Sequence, residues 1–282
     1  MSVLTVPAVL LRAHPYSETS RILRFLTADL GVIGVLARGV RSRSSKGSTS
    51  LETFARGELT LDHRPQRDLQ HFRDFHPGPG DPRRLGRDLL PFAAASYLAE
   101  LVLAHAMEGG EGEGSPALFQ GFASGLAALE TESLDRVPGV FLAAGWGILS
   151  EFGFPPGLDA CVRCGAGLDD GGGICRFDIL AGGLRCPACS EGEVPGSADG
   201  RSVAAGRSVA AASLGPRVGP GARAALQALA AGAPPDPLPG ASAHFGILDR
   251  FALTHLGLSR TFRSAELVRG ALPRSAPPRA TL

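Results

Sequence analysis

The sequence predicts an α+β protein of several domains, in which a small N-terminal β-barrel precedes an all-α domain with an inserted four-cysteine zinc ribbon. Three observations predict this class. Short apolar segments separated by turn residues fill residues 1–79, and a helical spacing of apolar residues follows them. All five cysteines lie between residues 161 and 189. The chain of 282 residues also exceeds one domain of about 150 residues.

The first 79 residues contain roughly five segments rich in Val, Leu, Ile and Phe, as expected for strands. The segment TADLG at residues 27–31 has the Asp and Gly of a tight hairpin connection. A closed barrel is favoured because it removes the edges that an open sheet would expose. The segment HPGPGDP at residues 76–82 ends this region, since its prolines and glycines continue neither strand nor helix.

Beyond residue 80 the apolar residues recur three or four positions apart, which predicts helices. One face of the first helix is expected to comprise Leu89, Phe92, Ala93, Tyr97, Leu101 and His105. Ser115 and Pro116 are expected to be the N-cap and the first residue of the second helix. The helical domain is expected at residues 80–157 and 196–272, with a disordered tail at residues 273–282.

Two Cys-x-x-Cys pairs in the segment 158–195 predict one tetrahedral zinc site. The expected ligands are Cys161, Cys164, Cys186 and Cys189. Four thiolates close the coordination shell, so the zinc is expected to be structural. Gly165 follows the first pair, where a tight turn benefits from a residue that tolerates positive φ. Cys175 is expected to be a spare thiol packed near the site.

Catalytic motifs are absent from the sequence. The only lysine, Lys46, follows Ser45 rather than Gly, which excludes a Walker A loop, and neither H-E-x-x-H nor G-x-S-x-G occurs. A redox role for the CPAC pair would require a preceding strand and a following helix, which the sequence does not predict there. We therefore expect no enzyme.

Basic residues gather after the third predicted strand with no acid between them. They are Arg38, Arg41, Arg43 and Lys46. A basic loop beside a small barrel is typical of proteins that bind single-stranded nucleic acid. Candidate stacking platforms for bases are Tyr16, Phe25, Phe54, Phe72 and Phe75. Residues 88–159 are predominantly acidic and are expected to contact proteins instead.

The N-terminus lacks the pattern of a secretory signal, and the apolar segment GVFLAAGWGILSEFGF is too short to span a bilayer. We therefore expect a cytoplasmic protein without membrane contact.

The segment HPYSETSRILRFLTADLGVIGVLARGVRSRSS, with CVRCG, GGLRCPAC and FALTHLGLSRTFRS further along, resembles the RecO family of recombinational DNA repair proteins. The residues in the expected order are Tyr16, Glu18, Thr27, Gly31, Ala37, Gly39 and Arg41. The likeness spans nearly the whole chain. The sequence departs from the family in its use of Arg over Lys, in the insert EGGEGEG and in its tail after Leu272.

This resemblance implies an OB-fold barrel, a helical domain with a zinc ribbon, and ATP-independent binding and annealing of single- and double-stranded DNA. It also implies two protein partners, RecR and the C-terminal tail of single-stranded-DNA-binding protein, and a nucleoid-associated place in the cytoplasm. The residues expected to contact DNA phosphates are Arg21, Arg24, Arg38, Arg41, Arg43 and Lys46. The acidic tail would need a basic groove, such as one near Arg250, Arg260 and Arg263.

Two other functions stay open at this point. The first is a zinc-ribbon scaffold that acts mainly through protein contacts, which annealing activity would distinguish from a mediator. The second is an uncharacterised hydrolase, which would need a catalytic triad or a metal with an open position.

Overall fold

A computed structural model describes residues 2–38, 51–108, 114–168, 173–191 and 214–273. The chain forms two compact units. The first contains a five-stranded barrel and most of the N-terminal helices, and the second contains a three-stranded sheet with further helices. The α+β class with an N-terminal barrel and a helical C-terminal region is thereby confirmed. The domain limits drawn from the sequence stay a prediction.

Five strands close the barrel in the order β1-β2-β3-β5-β4. They are β1 (Ser2–Pro15), β2 (Arg21–Thr27), β3 (Gly31–Ala37), β4 (Arg56–His63) and β5 (Leu69–Pro77). Neighbouring strands are antiparallel except β3 and β5, which pair in parallel. This is the OB-fold barrel that the sequence predicts.

The predicted hairpin connects β2 to β3. The Thr27 hydroxyl donates to the carbonyl of Gly31 at 2.9 Å and accepts from the Leu30 N–H at 3.1 Å. Gly31 has a φ of 63°, which a residue without a Cβ adopts at little cost.

Alternate residues of β2 point into the barrel, where Leu23 and Phe25 are fully buried. Phe25 packs on Phe75 of β5, with ring centroids 5.5 Å apart. The residue between Leu23 and Phe25, Arg24, is exposed. The strand period of two therefore divides β2 into a core face and an arginine-bearing outer face.

The helices follow the predicted segments closely. They are a 3-10 helix (Pro82–Arg87), α1 (Leu89–Glu108), α2 (Pro116–Thr131), α3 (Val137–Glu151), α4 (Pro187–Glu191), α5 (Pro220–Ala230), α6 (Ala241–His255) and α7 (Arg263–Ala271). Ser115 caps α2 as expected, because its hydroxyl accepts from the Leu118 N–H at 3.1 Å. The face predicted for α1 begins with two exposed residues, Leu89 and Phe92, before it becomes buried.

Within the first unit, α1 contacts the start of α7, although the two helices are far apart in the sequence. The Glu100 carboxylate accepts from both the N–H and the hydroxyl of Ser264, at 3.1 and 2.8 Å. Tyr97 packs edge-on against Phe262 beside this contact. A buried ion pair of 2.7 Å between Arg56 and Glu130 likewise joins β4 to α2.

The second unit contains a three-stranded sheet, termed the ribbon sheet, with the order β7-β6-β8. Its strands are β6 (Cys175–Asp178), β7 (Gly183–Arg185) and β8 (Leu214–Val218). Trp146 of α3, Phe177 of β6 and Phe251 of α6 are fully buried and contact one another. His255 adds a hydrogen bond of 2.9 Å to the carbonyl of Ile179.

Helix α1 is long and apolar enough to cross a membrane by length and composition, over Leu89–Ala106, which the sequence analysis did not anticipate. In the structure 56% of that segment is buried inside the protein. The core helix of a soluble protein meets the same criterion.

Candidate nucleic-acid interface and candidate metal centre

A cluster of basic side chains lies on the outer face of strands β1 and β2. A β-bulge in β1 shifts the register between Leu10 and Arg12, so that Arg12 directly opposes Arg24 of β2. Directly opposed residues point to the same face of a sheet. The bulge therefore places two arginines at directly opposed positions on one face, and the next outward position on β1 is occupied by His14, opposite Ile22.

Gly34 of β3 provides the space for Arg24. The two residues are direct partners in the β2–β3 pair. A Cβ at position 34 would lie 2.9 Å from Nη1 of Arg24 and 2.8 Å from Cδ2 of Leu69. The arginine side chain thus lies across the β3 backbone, in the space beside the position that a Cβ at residue 34 would occupy.

The other predicted DNA contacts fall into two groups. Arg21 begins β2 opposite Ala37, and Arg38 is exposed directly after β3 ends. These two residues extend the basic surface to the end of the barrel where β2 begins and β3 ends. The remaining predicted residues, Arg41, Arg43 and Lys46, lie outside the described residues.

We call Arg12, His14, Arg21, Arg24 and Arg38 the barrel cluster. Among the described residues, none of its four arginines forms an ion pair. Two other arginines are neutralised: Arg73 of the barrel pairs with Asp62 at 2.8 Å, and Arg83, next to the barrel, pairs with Glu52 at 2.7 Å. The barrel cluster is thus a local excess of positive charge.

This excess of positive charge affects the pKa of His14. Partial burial lowers its pKa below the usual value of 6.5, and the neighbouring Arg12 and Arg24 lower it further. Two fixed cations disfavour a third beside them, so the imidazole tends to be neutral in the free protein.

Most candidate stacking platforms are core residues. Phe25 and Phe75 are buried in the barrel core, and Phe54 is buried with its ring edge-on to Phe92 of α1. Phe72 is partly buried against the same core. Tyr16 differs, because 62% of its surface is exposed in the turn between β1 and β2, two residues beyond His14.

The loop between β4 and β5 adds two basic residues that the sequence analysis missed. The buried Gln70 amide accepts from the Arg64 N–H at 2.8 Å and donates to the carbonyls of Arg64 and Arg67. This fixes a loop whose residues line a small pocket. Arg12 and His14 were missed as well; their alternation with inward apolar residues along β1 is the signal that could have identified them.

The second candidate site is formed by the four predicted cysteine ligands, whose sulfurs all lie within 4.8 Å of one another. Cys161 is buried, Cys186 and Cys189 are partly exposed, and Cys164 is exposed. The Sγ atoms of Cys164 and Cys186 are 3.9 Å apart. A tetrahedral zinc with bonds of about 2.3 Å separates its sulfurs by roughly 3.8 Å, so the donor set fits a zinc ion.

Local turns bring the thiols together. Gly165 has the expected positive φ of 72°, and its N–H donates to the Cys161 carbonyl at 2.9 Å. The Cys186 N–H donates to Sγ of Cys161 at 3.3 Å. Such N–H groups stabilise thiolate, as a metal ligand requires.

The pKa values of the thiols reflect this arrangement. Burial opposes ionisation of Cys161, but the backbone N–H groups of Cys186, Cys164 and Arg163 lower its pKa to about 6. Hydrogen bonds that the Cys189 S–H donates to Cys164 and Cys186 raise the pKa of Cys189 to about 12. Four crowded thiols cannot all ionise without a cation between them, which is the electrostatic role that zinc fulfils.

Two details of this region bear on the sequence analysis. Cys186 directly follows β7 and precedes α4, so the expectation that CPAC does not lie between a strand and a helix is wrong. The gathering of all four sulfurs nevertheless distinguishes this site from an isolated redox pair. Cys175 is buried in β6 and is not part of the group of four.

Comparisons with known proteins identify the family of this chain. The family model described as "Recombination protein O N terminal" matches residues 1–77, and that described as "Recombination protein O C terminal" matches residues 86–205. A "DNA repair protein RecO" of Anaeromyxobacter dehalogenans (strain 2CP-C) is 33% identical, over 82% of this chain and 90% of the relative.

Relatives from other bacteria carry the same description. One from Desulfatibacillum aliphaticivorans is 30% identical over 70% of this chain and 75% of its own length. Another from Synechococcus sp. (strain JA-3-3Ab) is 32% identical over 65% of this chain and 62% of its own length. With its OB-fold barrel, its helical region and its four-cysteine cluster, this chain belongs to the RecO family of DNA repair proteins.

Proposed function

We propose that this chain is a recombination mediator that binds single- and double-stranded DNA and anneals complementary strands without ATP. With RecR, it helps to load recombinase onto DNA coated by single-stranded-DNA-binding protein, whose C-terminal tail it contacts. The observation that carries this proposal is the barrel cluster, in which Arg12 and Arg24 share an outer face and Arg21 and Arg38 lie at the adjoining end of the barrel, all without carboxylate partners in the described part of the chain.

The cluster suits a phosphate backbone. Phosphate contacts by arginine are independent of base sequence, and they leave the base edges free to pair. Arg12 and Arg24 lie at the centre of the surface, with Arg21 and Arg38 at one end, and Arg41, Arg43 and Lys46 are proposed to continue it. Lowering the repulsion between two strands while leaving their bases free is the physical requirement of annealing.

Tyr16 is the aromatic residue that could stack on a base beside this surface. Stacking on an aromatic ring is worth about 1–3 kcal/mol per base and tolerates any sequence. We therefore propose a cluster of phosphate contacts with one stacking contact next to it.

We propose that zinc at the four cysteines is structural and that the protein catalyses no bond change. Four thiolates leave no position for a water or a substrate on the metal. The work of the protein is then binding and positioning, in the cytoplasm and in association with the nucleoid.

The experiment is annealing of two complementary oligonucleotides, each coated with single-stranded-DNA-binding protein, followed by fluorescence without nucleotide at low and moderate salt. We expect rapid pairing that weakens as salt rises. No acceleration by a folded, zinc-loaded protein would contradict the proposal and favour a scaffold that acts through protein contacts.

A further inference from the structure

The ribbon sheet carries three arginines side by side. Arg176 of β6 directly opposes Arg185 of β7 on one side and Arg217 of β8 on the other. Opposed residues of antiparallel strands share one face, and neighbouring strands lie about 4.8 Å apart. The three side chains therefore form a row across the whole width of the sheet, which we call the ribbon row.

The row lies on the outer face of the sheet. The alternate residues Phe177, Leu184 and Val218 are buried, and they form the inner face with Cys175. Arg217 is exposed, whereas Arg176 and Arg185 are partly exposed. The inner face packs on the core of the second unit through Phe177, so the row is presented away from that core.

One carboxylate balances only part of this charge. Asp178, which is 1% exposed, forms an ion pair with Arg185 and accepts from the Ala181 N–H at 3.0 Å. Arg176 and Arg217 form no ion pair within the described residues. The Nε–H group of Arg176 is buried without an acceptor there. Like charges directly opposed on a sheet are destabilising, so a bound anion would stabilise this row.

We propose that the ribbon row binds the phosphates of a nucleic-acid strand, as a second DNA contact separate from the barrel cluster. Planar guanidinium groups bind phosphate through two parallel hydrogen bonds. A regular row of such groups matches the repeated charges of a polyanion better than it matches the one charge of a carboxylate. The inference rests on the proposed function, that the chain binds DNA. It adds that a protein which brings two strands together has one basic surface for each.

The test compares an Arg176→Gln/Arg217→Gln double variant, and Arg217→Gln alone, with wild type in binding a labelled single-stranded oligonucleotide over a salt titration. Removing two phosphate contacts is expected to weaken binding on the order of 10-fold and to reduce the slope of log affinity against log salt by about 1.4. The single variant should show about half that change in slope. Arg87→Gln, which removes an exposed arginine of the 3-10 helix, is the matched control and should bind as wild type does.

Zinc content and thermal unfolding establish that each variant is folded. Because Arg217 is exposed, its single variant decides the test if the double variant does not fold. A wild-type protein that binds no DNA would overturn the proposed function together with this inference. If wild type binds DNA and the ribbon variants bind equally well, the inference alone is overturned. Ribbon variants that keep their DNA affinity but lose affinity for an acidic peptide would also overturn the inference, since the row would then recognise a protein.

Discussion

The barrel and the ribbon sheet both present arginines on an outer face, yet they are stabilised in different ways. The barrel closes all its strand edges around a core that includes Phe25 and Phe75. The ribbon sheet is open and has three short strands, and it adjoins four clustered thiols that could hold a metal ion. We infer that surface charges of the barrel can be changed without loss of the fold, whereas the ribbon depends on its metal.

The largest effect that separates the two regions is expected from Cys161→Ser. Loss of one buried ligand should reduce zinc content and lower the Tm by roughly 10 °C, because structural zinc contributes several kcal/mol and each kcal/mol is worth about 2–4 °C in a domain of this size. DNA affinity per folded molecule should change much less. Atomic absorption and thermal unfolding measure the two effects.

The matched control for this variant is Cys175→Ser, which changes a buried thiol outside the group of four. Its zinc content should equal that of wild type. A folded Cys161→Ser protein that lost DNA binding would show that the metal site itself positions a DNA contact. The distinction drawn between the two regions would then be wrong.

A second prediction concerns the barrel cluster. Replacing Arg12, Arg24 and Arg38 together by alanine should weaken binding of single- and double-stranded DNA alike, by roughly 10- to 100-fold at low salt. The salt slope for single strands should fall by about 2, since each phosphate contact contributes about 0.7. Fluorescence anisotropy at three salt concentrations measures both quantities.

Stability should be nearly unchanged in this variant, because these side chains form no ion pair among the described residues. Arg73→Ala is the control on the same barrel; it removes an arginine that already pairs with Asp62. Equal losses from the two variants would mean that net charge, rather than this surface, governs DNA binding.

Gly34→Ala is expected to lower both the stability of the barrel and its affinity for DNA. The new Cβ would clash with Arg24 and Leu69 and would lie 3.2 Å from the carbonyl of Asp68. We expect a loss of about 1–3 kcal/mol in the free energy of unfolding, as in other overpacked sites. DNA affinity should fall a few-fold as the Arg24 side chain is displaced.

Chemical denaturation and anisotropy test this variant. Gly121→Ala in α2 is the control, since no atom lies near its added Cβ, and it should stabilise the protein by about 0.5–1 kcal/mol. Unchanged DNA affinity in a destabilised Gly34→Ala protein would separate Arg24 from the binding surface.

The smallest effect is expected from His14. Its pKa in the free protein is lowered by partial burial and by Arg12 and Arg24, and a bound phosphate would raise it again. Binding then takes up a proton, so DNA affinity should rise a few-fold as the pH falls below 6.5. His14→Gln should remove this rise, and an unaltered pH profile in the variant would assign it to another group.

Much of this architecture could be predicted from the sequence. The alternation of apolar residues, the TADLG turn and the Pro/Gly segment predicted the barrel, because a strand and its turns depend on nearby residues. The cysteine ligand set was equally accessible, since two residues separate the members of each pair. Ser115 as the N-cap of α2 depends on the same local rule.

Contacts between distant segments could not be predicted in this way. The outward pairing of Arg12 with Arg24 depends on a β-bulge. The exposure of Phe92 depends on what packs around α1. In a helix that is apolar on most sides, the spacing of apolar residues does not indicate which side is buried. The strand–helix position of CPAC and the alignment of Arg176 with Arg185 and Arg217 depend on how the ribbon sheet pairs.

By itself, then, the sequence determined the kinds of elements, their order, the four cysteines of the cluster and the likeness to the RecO family. These depend on residue type and on short separations along the chain, where few conformations compete. Only the tertiary structure decided which charges meet and which are neutralised. Strand register and helix packing set those distances, and a shift of one residue in a strand moves every side chain to the opposite face.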